Sequence, residues 1–275
     1  MSSRLRAAAT ETVGIVRAGW YLAPDGRRVE VGELVRRAVA ETTMYGSEPL
    51  GVDVPAAAPA GPVAIEVTGE SSLAAARRLW GQVPEPVAVL NFASARRPGG
   101  GFLGGAKAQE EDLCRCSALH ACLTAVPEFY EAHRARRTAL YSDRVIHAPA
   151  VPVFRDDSLQ LLAEPVLVGF LTAAAPNAGV IVANEPDEAH LIPLALRARS
   201  RQVLAVAVRH GYRRLVLGAW GCGVFRNDPA VVAAAFREHL APGSEFADRF
   251  AHVVFAVLDR DPSSPTRRAF AETFA

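Results

Sequence analysis

The stretch Val87-Ala88-Val89-Leu90-Asn91-Phe92-Ala93-Ser94-Ala95-Arg96-Arg97-Pro98-Gly99-Gly100-Gly101-Phe102-Leu103-Gly104-Gly105-Ala106-Lys107-Ala108-Gln109-Glu110-Glu111-Asp112 decides the fold class. Val87–Leu90 is apolar without alternation, as in a strand covered on both faces. Asn91 closes that run. A glycine-rich loop follows, and Gln109-Glu110-Glu111-Asp112 opens a helix, with acids in the first turn complementing its dipole. Strand, loop and helix in this order form the unit of an α/β sheet, whose ligands lie beyond the carboxyl ends of the strands.

Working outward, the same alternation continues. Val63–Val67 reads as a strand, and Ser71-Ser72 caps a helix through Ala74–Trp80. Further strands are expected at Val145–Ala148, Val166–Thr172, Leu215–Gly218 and Val253–Leu258, with helices near 109–125, 190–210, 230–240 and 264–274. The pattern predicts an α/β, three-layer α/β/α sandwich with a mixed or mostly parallel central sheet. Upstream, Leu5–Arg17 and Val31–Thr43 read as helical, broken at Pro24-Asp25-Gly26, and Pro55–Pro62 reads as a linker or surface loop. Two regions are therefore expected: a helical N-terminal extension, 1–55, and an α/β domain, 56–275.

Bulk properties narrow the function. Of 275 residues half are hydrophobic and 21% charged, enough for a packed core. A net charge of +1 advertises neither a nucleic-acid nor a membrane partner, so an anionic ligand has to be gripped locally. No apolar run approaches the roughly 20 residues that span a bilayer, and Met1–Arg6 leads into no signal-peptide core, so the chain reads as cytoplasmic. Cys114, Cys116, Cys122 and Cys222 lack disulfide-framework and zinc-ligand spacing and read as small buried hydrophobes. No metal site and no cofactor is expected. His120, His147 and His190 read as structural or surface residues, and Asp156 and Asp157 as a solvated turn.

Two loops can carry chemistry. In the first, five of the seven residues Gly99–Gly105 are glycine. Such a loop loses much backbone entropy on ordering, which makes sense where positive φ or close approach of N–H groups to a ligand is required. Glycosidic cleavage needs a carboxylic acid that protonates the leaving oxygen and then activates water. Neighbouring helical residues point about 100° apart, so Glu110 and Glu111 are not expected to flank one bond from opposite sides. One glutamate is expected to act and the other to orient. In the second loop, Leu215–Leu217 leads into Gly218-Ala219-Trp220-Gly221-Cys222-Gly223-Val224-Phe225, a candidate diphosphate cradle, with Asp228 and Pro229 as N-cap and first residue of the next helix. Its GxxGxG spacing and late position differ from the dinucleotide fingerprint of dehydrogenases.

GGG-x7-QEE after an apolar strand ending in Asn, flanked by Arg97-Pro98 and by Leu113-Cys114-Arg115, resembles the catalytic signature of the bacterial-type (microbial) poly(ADP-ribose) glycohydrolases. Val67–Leu79, Val151–Asp157 and Ala173–Asn177 extend the resemblance over most of the chain. It implies a macrodomain with a helical N-terminal extension. The implied reaction is hydrolysis of ribose–ribose O-glycosidic bonds in poly(ADP-ribose), with ADP-ribosylated proteins as substrates and ADP-ribose as product. Glu111 is then the general acid/base, Glu110 holds the scissile ribose, and Asn91, Gly99, Gly100, Gly101 and Gln109 surround it. Gly218, Gly221, Cys222, Gly223 and Val224 bind the diphosphate, and Phe225 stacks on the adenine side. Gly69 stands where a polar adenine contact is expected, so none is assigned there. Two alternatives stay open, a non-catalytic ADP-ribose reader and a mono-ADP-ribosyl hydrolase.

Overall fold

The computed structural model describes residues 2–52, 63–259, 261 and 263–275. Strands β1 (Trp20–Leu22), β2 (Arg28–Glu30), β3 (Thr43–Tyr45), β4 (Ala64–Thr68), β5 (Val87–Phe92), β6 (Val145–Arg155), β7 (Leu161–Ala173), β8 (Arg214–Leu217) and β9 (His252–Ala256) alternate with helices. These are α1 (Ser3–Ala18), α2 (Gly32–Ala40), α3 (Ser72–Gln82), α4 (Gln109–Cys116), α5 (Leu119–Thr124), α6 (Pro127–Ala135), α7 (Ala178–Asn184), α8 (Ile192–Arg209), α9 (Pro229–Leu240) and α10 (Pro265–Phe274). A seven-stranded mixed sheet runs β3-β6-β7-β5-β8-β9-β4. Strands β7, β5, β8, β9 and the edge strand β4 are parallel, and β6 and β3 add antiparallel pairings at the other side.

Period-two side-chain alternation sorts the central strands between two cores. Val87, Val89, Val216 and Val254 join a cluster with Leu73 and Leu79 of α3, Leu113 of α4 and Leu119 of α5. Ala88, Leu90, Leu215, Leu217 and Phe255 join the opposite cluster with α8, α9 and Phe270 of α10. The unbroken apolar run of β5 follows from this double coverage. Of the expected caps, Ser71 accepts from the Ala74 N–H at 3.0 Å, and Asp228 accepts from the Ala230 N–H at 2.8 Å ahead of Pro229.

Several expectations change. The first 45 residues are not purely helical: β1 and β2 form an antiparallel hairpin, and β3 joins the edge of the main sheet. The hairpin's turn is the Pro24-Asp25-Gly26 break itself, with the Asp25 carboxylate accepting from the Arg27 N–H at 3.0 Å. Residues of α1 and α2, among them Ala9, Ile15, Val35 and Ala38, pack into the first core cluster. The expected linker Pro55–Pro62 lies outside the described residues. The helix expected over 109–125 is two helices, because Ser117 is extended (φ −145°, ψ 176°) and bridges Val153 of β6. Strands β6 and β7 exceed their apolar centres because they form a long antiparallel hairpin. Helices α6 and α7 went unread. No described helix is long and apolar enough to cross a membrane.

Parallel pairing of β5 with both β7 (Asn91 beside Thr172) and β8 (Val89 beside Val216) brings the three strand exits to one edge. At Gly218 the spacing is tight: a Cβ there would lie 2.5 Å from the Ala256 carbonyl oxygen and 3.1 Å from Phe92 Cζ. Gly218→Ala is expected to destabilise the fold by about 1–3 kcal/mol, as overpacking does, measured by chemical denaturation.

Candidate active site

Gln109 sits at the start of α4, and its amide is consumed by the scaffold. Its Nε2 donates to the Leu90 carbonyl (2.8 Å) and to Ser72 Oγ (3.1 Å), and its Oε1 accepts from the Phe92 N–H (2.9 Å). Sequence reading had it as a ligand residue; the structure uses it instead as a clamp between α4, α3 and the end of β5.

Glu110 is buried. One carboxyl oxygen accepts from the Ser94 N–H at 2.8 Å and the other from Asn91 Nδ2 at 3.2 Å. Asn91 Nδ2 also donates to Thr172 Oγ1 at 3.1 Å, tying the ends of β5 and β7 together. Burial, opposed by these bonds and reinforced by the neighbouring Glu111 carboxyl, raises the Glu110 pKa to about 8.

Glu111 is held differently. Its Oε1 accepts from the Gly101 N–H at 2.8 Å, while Oε2 accepts nothing from a described residue. Gly100 separates the two carboxyls: at φ +56°, its missing Cβ would stand 2.5 Å from Glu111 Oε1 and 3.1 Å from Glu110 Oε2. Both carboxyls thus reach one glycine. Their Cα–Cβ bonds do diverge on the helix, but side chains with three rotatable bonds fold back to the same glycine. Any side chain at residue 100 would displace them.

The second loop presents a different chemistry. Among the described residues none accepts the N–H groups of Gly223, Val224 and Phe225. Consecutive unused amides are suited to anionic oxygens. The loop is pinned from behind: Trp220 Nε1 donates to the Ala173 carbonyl at 3.0 Å, and Asn227 Nδ2 donates to the carbonyls of Pro176 (2.8 Å) and Gly221 (3.1 Å). Cys222 faces inward instead, its N–H on the Ala219 carbonyl (3.1 Å) and its thiol toward the Trp220 carbonyl (3.8 Å), where burial raises its pKa to about 12. Gly218 serves strand packing. Phe225 packs beside Ala93, Ala95 and Ala174, which joins this loop to the entrance of the first. The two glycine loops therefore share one edge.

A scan of family models finds "Microbial-type PARG, catalytic domain" over residues 9–156, more than half of the chain. The chain belongs to the microbial-type poly(ADP-ribose) glycohydrolase family. It is 52% identical to the poly(ADP-ribose) glycohydrolase from Thermomonospora curvata, covering 99% of this chain and 100% of that one with a TM-score of 0.93. The same enzyme bound to the inhibitor ADP-HPD matches at 52% identity over 98% and 99%, TM-score 0.91. The glycohydrolase from Deinococcus radiodurans in complex with ADP-ribose matches at 45% identity over 87% of this chain and 96% of that one, TM-score 0.77. No protein with a curated description matches in sequence. The fold and membership of the family are as the catalytic signature implied.

Sequence reading missed the residues that hold the glycohydrolase loops from behind: Ser94, Thr172, Trp220 and Asn227. It also missed Tyr141, a bulky residue at φ +61° whose ring centroid lies 6.1 Å from that of Phe225. Only the polar Ser94 after an apolar strand carried a local hint.

The proton on Glu110 has a thermodynamic consequence. The folded state holds a proton that the unfolded chain releases above its ordinary pKa of 4.5, so the contribution is complete below that value and is lost as pH rises through about 8. Glu110→Gln is expected to flatten the fall in Tm between pH 4.5 and 8, read by calorimetry across pH. An unchanged Tm profile would refute the proton assignment.

Proposed function

We propose that Glu111 is the single acid/base with which this glycohydrolase cleaves the ribose–ribose O-glycosidic bond of poly(ADP-ribose), releasing ADP-ribose. One observation carries the assignment: both oxygens of Glu110 are bonded to the scaffold, whereas Glu111 keeps one oxygen without a donor among the described residues. A carboxyl group that must give and then take a proton needs an oxygen free to meet the substrate.

The terminal ADP-ribose unit lies along the shared edge. Its diphosphate rests on the N–H groups of Gly223, Val224 and Phe225, its adenine side stacks on Phe225, and its distal ribose meets Asn91, Glu110 and the Gly99–Gly101 loop. Glu111 donates its proton to the leaving 2′-oxygen as the bond to the anomeric carbon breaks. Oxocarbenium character develops on the ribose and is stabilised by the neighbouring phosphates and carboxyl groups. Glu111, now ionised and steadied by the Gly101 N–H, takes a proton from water as that water adds to the anomeric carbon. Glu110 is already bonded on both oxygens and positions the sugar. Four free cysteines support a cytoplasmic location.

Glu111→Gln is expected to lower ADP-ribose release from polymer by about 10²–10⁴-fold, the usual worth of a general acid/base. ADP-ribose affinity, measured by calorimetry, is expected to stay close to wild type. Unchanged turnover would remove Glu111 from the role. A wild-type protein that binds polymer without cleaving it would be a reader, and preference for mono-modified protein would make it a mono-ADP-ribosyl hydrolase.

A further inference from the structure

Four cationic side chains border the catalytic glycine loop from three parts of the chain. Arg96 and Arg97 precede it and Lys107 follows it, all exposed. Arg6 of α1 stands at its far end, its backbone N 3.0 Å and its Cβ 3.3 Å from where a Cβ on Gly105 would be. None of the four makes an ion pair with a described residue. Arginines on α2 behave otherwise, Arg36 pairing with Glu33 and Arg37 with Glu41. Asp112, an acid on the neighbouring helix, is already paired with Arg115.

The backbone beneath Arg96 and Arg97 is held firmly while their guanidinium groups are left unpaired. Ser94 Oγ accepts both N–H groups at 3.3 Å, and the Ser94 N–H is itself bonded to Glu110. The Arg96 carbonyl accepts from Arg134 Nη1 at 2.9 Å, and the Arg97 carbonyl accepts the Gly100 N–H at 3.0 Å. The two arginines are thus positioned from the same turn that bonds Glu110. The terminal unit's own diphosphate has a separate cradle in the Gly223–Phe225 amides, so these charges are surplus to its needs.

We propose that Arg96, Arg97 and Lys107, with Arg6 at the margin, form a subsite for the leaving chain: the diphosphate of the ADP-ribose unit on the far side of the bond being cleaved. The assignment rests on poly(ADP-ribose) being the substrate. Each further unit of that polymer carries a diphosphate, so a cationic border at the catalytic end matches the chain that departs there. On a protein of net charge +1, such a local patch supplies attraction that the global field does not. Binding energy from this remote diphosphate also helps hold the scissile bond against Glu111.

The test compares Arg96→Gln/Arg97→Gln/Lys107→Gln with the parent, both in a Glu111→Gln background so that polymer is bound and not consumed. Two ligands are titrated over a series of NaCl concentrations: poly(ADP-ribose) of defined length, and monomeric ADP-ribose. Polymer Kd at 0.15 M NaCl is expected to rise about tenfold, each exposed contact being worth a few-fold. The slope of log Kd against log[NaCl] is expected to fall by about 1.4, at roughly 0.7 for each of the two phosphates on a single strand. ADP-ribose affinity is expected to be unchanged, which also reports an intact fold, and Arg96→Lys/Arg97→Lys is expected to keep most of the polymer affinity. Unchanged polymer affinity and slope would overturn the subsite. An equal loss for ADP-ribose would overturn it too, by moving the cations to the terminal unit. Failure of the wild-type enzyme to bind or cleave polymer would instead remove the function on which the subsite rests.

Discussion

Glu110 is a carboxyl group taken out of water and compensated by bonds from two places on one strand exit, the Asn91 side chain and the Ser94 backbone. Burying a carboxyl without such partners would cost several kcal/mol, and removal of either donor leaves a polar group unsatisfied. The clasp closes a loop from residue 91 to residue 110, and everything between them is arranged by that closure. Gly100 is pressed against both carboxyls, Gly101 aims its N–H at Glu111, and Arg96 and Arg97 are set on a fixed turn. Gln109 repeats the device one residue earlier by bonding the backbone of β5. A loop with five glycines in seven residues thereby gains one conformation from side chains outside it.

The two ends of the ligand edge are built on different physics. The Gly223–Phe225 end offers backbone dipoles, which attract anionic oxygens without a buried charge that would need its own partner. The Glu110–Glu111 end holds carboxyl groups, and the one proposed to give up its proton becomes negative as the sugar develops positive character.

The N-terminal segment contributes to that arrangement from outside the main sheet. The Thr12 hydroxyl of α1 donates to the Arg115 carbonyl at 2.6 Å, and the buried Arg115 guanidinium reaches the Ala106 carbonyl at 2.8 Å. Helix α1 is thus connected through α4 to the last residues of the glycine loop, and it acts as a brace.

What the sequence by itself determined was the part encoded in contiguous residues. Val87–Leu90 as a doubly covered strand, the Ser71 and Asp228 caps, the glycine loops and the acidic start of α4 all depend on nearest neighbours along the chain. The QEE run is legible by the same local logic, while a role for each of its glutamates comes from the family resemblance. Only the tertiary structure decided what each group does. Gln109 reads as a polar ligand contact until Leu90, Phe92 and Ser72 occupy its amide; Cys222 until its N–H and thiol turn inward. Glu110 and Glu111 look like diverging neighbours until a glycine ten residues away lets them meet. Thr172, Trp220 and Asn227 carry no local signature, because their partners are 81, 47 and 51 residues distant. Even the hairpin of β1 and β2 follows this division, its Asp-Gly turn legible at once and its strands hidden in short segments stabilised by distant packing. Periodicity and capping act through covalent proximity, whereas hydrogen-bond satisfaction in a buried site depends on whichever groups the sheet brings to that edge.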